Sequence, residues 1–219
     1  MESMSTVFIV DDDAAVRDAI ALLVQSVGLR SREFASCEAF LDAYDPDACG
    51  CVLLDARLPG MSGLELLDEM SRRHLPLPVI LITAHGDMPM AVRAMKSGAV
   101  DCIPKPFNDN ELLECVRHAL ELDASRHLDR ARTAEIRERY SQLSHREREV
   151  LGHVVAGRTS QEIGNILGVA RKTVESHRAR IMQKMAVGSL AQLVRSVLKV
   201  DAFERDFDAA QSAYSESRP

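Results

Sequence analysis

Three consecutive carboxylates, Asp11, Asp12 and Asp13, follow a short apolar run, and Asp55 follows another. Thr83, with Ala84, closes a third run, and Lys105 sits between Pro104 and Pro106 at the end of a fourth. Carboxylates gathered at one mouth repel and call for a cation. Oxygen donors with room for water suit Mg²⁺, which typically takes one or two carboxylates together with phosphate oxygens. A carboxylate beside such an ion can attack a phosphoryl group. A hydroxyl and an ammonium nearby can then contact the transferred oxygens. One Asp after a strand is often only a helix cap. Four residues of complementary chemistry, each at the end of a different run, need a further reason.

A second group of chemically able residues lies at 171–184, RKTVESHRARIMQK. At about 100° per residue, Val174, His177, Ile181 and Met185 share one side, which is the core face. Lys172, Glu175, Ser176, Ala179 and Gln183 fall opposite. Arg171 and Arg178 border one edge, and Arg180 and Lys184 the other. A polar face edged by cations on both sides fits a DNA major groove between two phosphate strands. A merely solvated face would carry acids as well, and here only Glu175 is acidic. His177, on the core side, reads as a packed or phosphate-touching residue and not as a metal ligand.

These groups need elements to hold them. Residues 1–122 alternate short apolar runs (6–10, 51–54, 78–82, 100–103 and a weaker one at 30–34) with helical patterns near 14–27, 37–44, 63–73, 89–97 and 108–122. In the first helix Val16, Ile20, Leu23, Val24 and Val27 recur at steps of three or four, the spacing of one buried face. Near-continuous apolar strands are covered on both sides. Five such units predict an open, doubly wound parallel sheet, whose ligands bind at the carboxyl ends of the strands. That is where the Asp, Thr and Lys residues fall. Residues 123–139 lack Gly and Pro and predict a helical connector. Residues 140–200 are all-helical in pattern, with helices near 145–156, 160–167, 171–186 and 189–199 punctuated by Gly157, Gly168 and Gly188. Ser144 with Glu147 forms a capping box, and Thr159 can cap the next helix. Two short helices joined by a tight Gly-containing turn, the second one basic, make a helix-turn-helix over about 159–178. Residues 201–219 are polar, acidic and aperiodic and are expected to be a disordered tail.

The composition agrees with two domains. The chain has 219 residues, 46% hydrophobic and 27% charged, which is ordinary for a globular protein. Residues 1–122 hold ten Lys and Arg against twenty Asp and Glu, whereas 140–200 hold ten against four. A polyanion therefore belongs to the second part. No apolar run is long enough for a transmembrane helix, and the first residues lack the pattern of a secretory signal. Five scattered Cys fit free thiols in a reducing cytoplasm, and Cys49 and Cys51 read as packed thiols without clustered partners. A phosphohydrolase with an Asp nucleophile usually has a second carboxylate two residues on. Here that residue is Arg57, which argues against an enzyme.

IVDDD, VLLDARLPGMSG, ITAHGD and IPKPF, over about residues 5–122, resemble the receiver domain of two-component response regulators. The resemblance implies a flavodoxin-like (βα)5 fold in which Asp55 accepts a phosphoryl group from a sensor histidine kinase. It implies that Asp12, Asp55 and the backbone carbonyl of Arg57 hold Mg²⁺, with Asp11 acting through water. It also implies that Thr83 and Lys105 contact the phosphoryl group and that the Lys105–Pro106 peptide is cis. Where the family usually has Tyr or Phe as a switch residue, this chain has Cys102. The second part, from LSHREREVL through TVESHRARIMQKM, resembles the four-helix LuxR-type helix-turn-helix in its FixJ-like branch. That implies contacts to double-stranded DNA from Arg171, Lys172, Thr173, Glu175, Ser176, His177, Arg178, Arg180 and Lys184. Ser160-Gln161 stands where relatives often have Asn-Lys, and Glu175 where many have Lys. The whole order resembles a cytoplasmic FixJ/NarL-type transcription regulator, a homodimer when phosphorylated and a partner of RNA polymerase.

Overall fold

A computed structural model of the chain describes residues 5–84 and 88–200. The expected tail at 201–219 lies outside the described residues. The chain divides into two compact units, the first ending at Leu128 and the second beginning at Asp129.

In the first unit, β1 (Thr6–Val10), β2 (Arg30–Phe34), β3 (Gly50–Asp55), β4 (Val79–Ala84) and β5 (Asp101–Lys105) form one parallel sheet in the order β2-β1-β3-β4-β5. Alternate side chains of these strands face opposite layers. Phe8, Val10, Val52, Leu54, Val79 and Leu81 pack with α2 (Cys37–Asp42), α3 (Gly63–Arg72) and α4 (Met88–Lys96). Val7, Ile9, Leu53, Ile80, Ile82 and Ile103 pack with α1 (Ala14–Ser26) and the start of α5 (Asp109–Ser141), through Ile20, Val24, Leu112 and Val116. The sheet is thus covered on both faces, as its apolar runs require. The order reverses between β1 and β3, where a doubly wound sheet opens its ligand crevice.

The buried stripe expected on α1 is one residue too long. Val27 was placed on the buried face of α1, but it is the C-cap residue and 51% exposed. The helix stops at Ser26, and Gly28 turns the chain away with φ 79° before the next residue could complete the stripe. Val16 and Leu23 are half-buried, and Ile20 and Val24 are buried.

The expected connector is helical. α5 runs unbroken from Asp109 to Ser141, and its end contributes Ile136 and Tyr140 to the core of the second unit. That unit adds α6 (His145–Val155), α7 (Ser160–Leu167), α8 (Arg171–Lys184) and α9 (Leu190–Val197) around Val150, Leu151, Ile163, Val174, Ile181 and Leu193. Ser144 with Glu147, and Thr159 with Glu162, form capping boxes that start α6 and α7. Gly168 ends α7 in the left-handed region at φ 65°, and the chain enters α8 two residues later. No helix among the described residues is long and apolar enough to cross a membrane.

The layer beneath β2 is aromatic. Phe40 is 1% exposed and packs edge-on to Phe8 and Phe34 at centroid distances of 5.9 and 5.5 Å. Phe40→Ala should lower the stability of the first unit by about 3–5 kcal/mol. A urea titration followed by circular dichroism checks this, and a loss below 1 kcal/mol would mean that the layer closes around the gap.

Candidate functional site

The carboxyl ends of β1, β3 and β5 meet in one pocket. Val10 pairs with Leu54 across β1 and β3, so Asp11 and Asp55, one residue further on, emerge side by side. Both are nearly buried, at 2% and 6% exposure. Lys105 reaches over from β5. Its Nζ donates to Asp11 Oδ2 at 2.8 Å and to Asp55 Oδ1 at 2.6 Å. Partial burial alone would lower the Lys105 pKa, but its hydrogen bonds to Asp11 and Asp55 outweigh this and hold it above the ordinary lysine value. The Lys105–Pro106 peptide is cis.

The remaining oxygens are also placed. The backbone N–H of Arg57 donates to Asp55 Oδ2 at 2.7 Å, folding the residue-57 backbone against the carboxylate. Asp11 Oδ1 accepts from the N–H of Asp13 at 3.0 Å, and Arg17 Nη1 donates to the carbonyls of Asp11 and Asp12 at 2.7 and 3.0 Å. The three acids of the run therefore divide their work. Asp11 lines the pocket, Asp12 is exposed, and Asp13 caps α1 by accepting from Ala15 N–H at 2.9 Å. Gly63 shapes the floor. A Cβ there would come within 2.2 Å of the Asp55 carbonyl oxygen, so only glycine lets α3 start this close to the strand end.

Asp11, Asp12 and Asp55 supply hard oxygen donors, with the Lys105 ammonium on the Asp11 and Asp55 carboxylates and the Arg17 guanidinium on the Asp11 and Asp12 carbonyls. The donor set fits Mg²⁺. Thr83 is buried at the end of β4, and its hydroxyl donates to Met90 Sδ in α4 at 3.4 Å. A thioether is a weak acceptor. Cys102 is half-buried against the α2–α4 layer.

In the second unit, α8 presents most of the expected surface. Val174, Ile181 and Met185 are buried, while Arg171, Lys172, Thr173, Glu175, Ser176 and Arg180 are exposed. Arg171 Nε pairs with Glu175 Oε1 at 2.7 Å, one helical turn apart. Arg178 is half-buried and lines a small apolar cleft with Val154, Met182 and Leu190. His177 is half-buried on the core side, its Nδ1 enclosed without a hydrogen-bond partner among the described residues.

Lys184, exposed at the other edge of α8, also has partners within the unit. Its Nζ donates to Glu147 Oε2 at 2.7 Å and to the Gln142 carbonyl at 3.2 Å. Its ammonium pairs with a buried carboxylate in α6 while the side chain itself stays 38% exposed. Burial would raise the Glu147 pKa, but Lys184 and the Ser144 N–H outweigh it and hold the pKa below the usual carboxylate value.

Residues 7–117 match the response regulator receiver domain family, and residues 141–197 match the luxR family of bacterial regulatory proteins. The chain belongs to the two-component response regulators with a LuxR-type DNA-binding domain. It is 42% identical over 191 residues to response regulator protein TodT of Pseudomonas putida, covering 87% of this chain and 84% of TodT. It is 44% identical over 192 residues to transcriptional regulatory protein FixJ of Azorhizobium caulinodans, covering 88% of this chain and 91% of FixJ. A solved structure of the response regulator StyR, 42% identical, superposes with a TM-score of 0.79 over 90% of this chain and 99% of StyR. This response regulator is therefore a transcription regulator and not an enzyme. Its receiver implies a cognate kinase, and its luxR-family domain implies DNA as a partner.

A depressed carboxylate pKa stabilises the folded state above the unfolded value and loses that effect as the pH falls through the folded value. Glu147→Gln should therefore destabilise the second unit by about 1–3 kcal/mol at neutral pH. The gap should close below the ordinary glutamate value near 4.5. Urea titrations at neutral pH and at about pH 3.5 read the difference. A gap of equal size at both would show that the Glu147 charge contributes nothing.

Proposed function

We propose that this response regulator is switched by phosphorylation of Asp55. The observation that carries the reading is the Lys105 bridge to Asp11 and Asp55, which sets a nearly buried nucleophile beside a second carboxylate and within reach of one ammonium. The donor is a phosphorylated histidine of a sensor kinase. An Asp55 carboxylate oxygen forms the new P–O bond while the P–N bond breaks, and its electron pair leaves with the imidazole nitrogen. Mg²⁺ would be held by Asp12, Asp55 and the Arg57 carbonyl, with Asp11 acting through water, and when bound it neutralises phosphoryl oxygens. Lys105 then turns its ammonium from the carboxylate to a phosphoryl oxygen.

The added charge is about −1.5 to −2. An anionic oxygen is a far better acceptor than a thioether, so Thr83 exchanges Met90 for the phosphoryl group and releases its hold on α4. Cys102, small where an aromatic switch would stand, leaves the signal to this loop and helix. The altered surface pairs with its copy in a symmetric dimer. Two DNA-binding domains then engage paired half-sites at raised effective concentration. In this reading residues 1–122 are the receiver, 123–139 the linker and 140–200 the DNA-binding domain, and the protein acts in the cytoplasm with RNA polymerase.

Incubation with acetyl phosphate and Mg²⁺, followed by mass spectrometry, should place a single phosphoryl group on Asp55. Asp12→Ala should lose most of it, and wild-type labelling of Asp55→Asn would overturn the assignment. With a beryllofluoride mimic, sedimentation should move from monomer to dimer and operator affinity should rise. Neither changing would remove the proposed mechanism.

On DNA, Arg180 faces phosphates, whereas Lys172, Glu175 and Ser176, near the start of α8, face base edges. Each phosphate contact contributes roughly one unit to the salt slope of binding. Arg180→Ala should weaken binding to operator and scrambled DNA alike and flatten the salt dependence. Ser176→Ala should shift sequence preference by about 1–3 kcal/mol at one base pair. Fluorescence anisotropy across a salt series separates them. The reverse pattern would mean that α8 is rotated in the groove.

A further inference from the structure

At the opposite end of β3 from Asp55, three donors from distant parts of the sequence converge. Cys49 precedes the strand, and Asp123 and His127 lie one turn apart on α5. Cys49 Sγ is 3.3 Å from His127 Nε2, and the same Nε2 is 3.8 Å from Asp123 Oδ2. One donor atom from each residue lies within 4.8 Å of the others. Asp123 is 1% exposed. Its Oδ2 accepts from the Gly50 N–H at 2.8 Å, while its Oδ1 is buried without any hydrogen-bond partner among the described residues. A buried carboxylate left in this condition is costly unless a positive charge sits beside it.

The geometry discriminates between two uses of Cys, His and Asp. In a nucleophile relay the two ring nitrogens divide the work, one facing the thiol and the other the carboxylate. Here the single Nε2 faces both. That is convergence on a point, as in metal coordination. Bond lengths of about 2.3 Å to sulfur and about 2.0–2.2 Å to nitrogen and oxygen, set tetrahedrally, separate the S and N donors by about 3.5 Å and the N and O donors by about 3.4 Å. The observed 3.3 and 3.8 Å need only small shifts. A thiolate with an imidazole selects a borderline or soft transition ion over Mg²⁺. Cys49 and His127 are half-buried, so an ion can enter from solvent and keep water as a fourth ligand.

We propose that Cys49, Asp123 and His127 form a binding site for a divalent transition-metal ion of the Zn²⁺ class, separate from the phosphorylation pocket. On binding, the Cys49 thiol gives up its proton to solvent and the S–metal bond forms, with no change of oxidation state. The ion ties the start of β3 to α5 within the first unit.

The test uses the full-length reduced protein with excess Mg²⁺ to occupy the acidic pocket. Titration with Co²⁺ should produce a near-ultraviolet thiolate-to-cobalt band that saturates at one ion per chain and is displaced by one equivalent of Zn²⁺. Cys49→Ser should abolish the band. Both Cys49→Ser and His127→Gln should weaken Zn²⁺ binding, read by competition with a chromophoric chelator, by about tenfold or more. Asp55→Asn should leave band and affinity unchanged. Absence of a saturable band in the wild type would overturn the proposal. So would a band that survives Cys49→Ser with that variant folded by circular dichroism, or one lost in Asp55→Asn.

Discussion

Two nearly buried carboxylates side by side repel strongly, and the single ammonium of Lys105 makes that juxtaposition tolerable. The whole first unit is arranged around this requirement. Asp11 and Asp55 are neighbours because β1 and β3 pair in register. Lys105 must come from beyond β4, so β5 has to be present and its last residue has to reach across. An ion triad of this kind gives little net stability, because desolvating each charge costs about as much as the attraction returns. The unit is instead held by its two apolar layers, one on each sheet face. The triad is therefore kept for its chemistry. It holds a carboxylate partly shielded and aimed at one mouth, with an ammonium able to follow charge wherever it develops.

The elements were legible because each obeys a local rule. Apolar runs gave the strands, spacing of three and four gave the helices, and Ser144, Thr159 and Gly168 marked the starts and the stop in the second unit. The pocket was legible for a related reason. Residues at strand ends share a crevice in a doubly wound sheet, so Asp11, Asp55 and Lys105 could be grouped without knowing any distance. Pairings decided by tertiary packing left no such signal. Lys184 finds Glu147 across 37 positions, and Cys49 finds His127 across 78. A helical wheel showed Lys184 on a flank but not what lay beside that flank. The spacing of Cys49 and Cys51 hid the Cys49 cluster, because its partners are on α5. The i,i+4 pair Asp123 and His127 was the one trace available in the sequence, and an exposed linker would carry the same pattern.

In the second unit the same competition for charge divides the cations of α8. Lys184 is drawn inward by Glu147, whose carboxylate also caps α6 by accepting from the Ser144 N–H at 2.8 Å. The capping box and the ion pair share one acid, so α6 and α8 are locked through it. Arg178 is half-buried and lines an apolar cleft. Arg171 is held by Glu175 on the exposed side, a pair worth little in water and easily exchanged for a phosphate. Lys172 and Arg180 are exposed along the same helix. A surface that reads DNA needs some cations fixed and some adaptable, and this helix has both because its acidic partners are few and unequally buried.

β3 joins two regions of opposite donor character. Its end carries Asp55 among carboxylates and a carbonyl, all hard oxygen donors. Its start adjoins Cys49, facing an imidazole and one carboxylate. At about 3.3 Å per residue the two ends lie roughly 20 Å apart, beyond the Debye length at physiological salt. Donor chemistry decides which ion would settle at which end. Packing is one route between the ends. The route is defined by shared contacts: Leu53 in β3 packs in the same layer as Leu112, Val116 and Ala119 of α5, the helix that also carries Asp123 and His127. A clamp on α5 at those two residues bears on the layer directly beneath the strand that ends in Asp55. Packing through that layer is one physical link between the two ends, because Leu53 and the α5 residues share it.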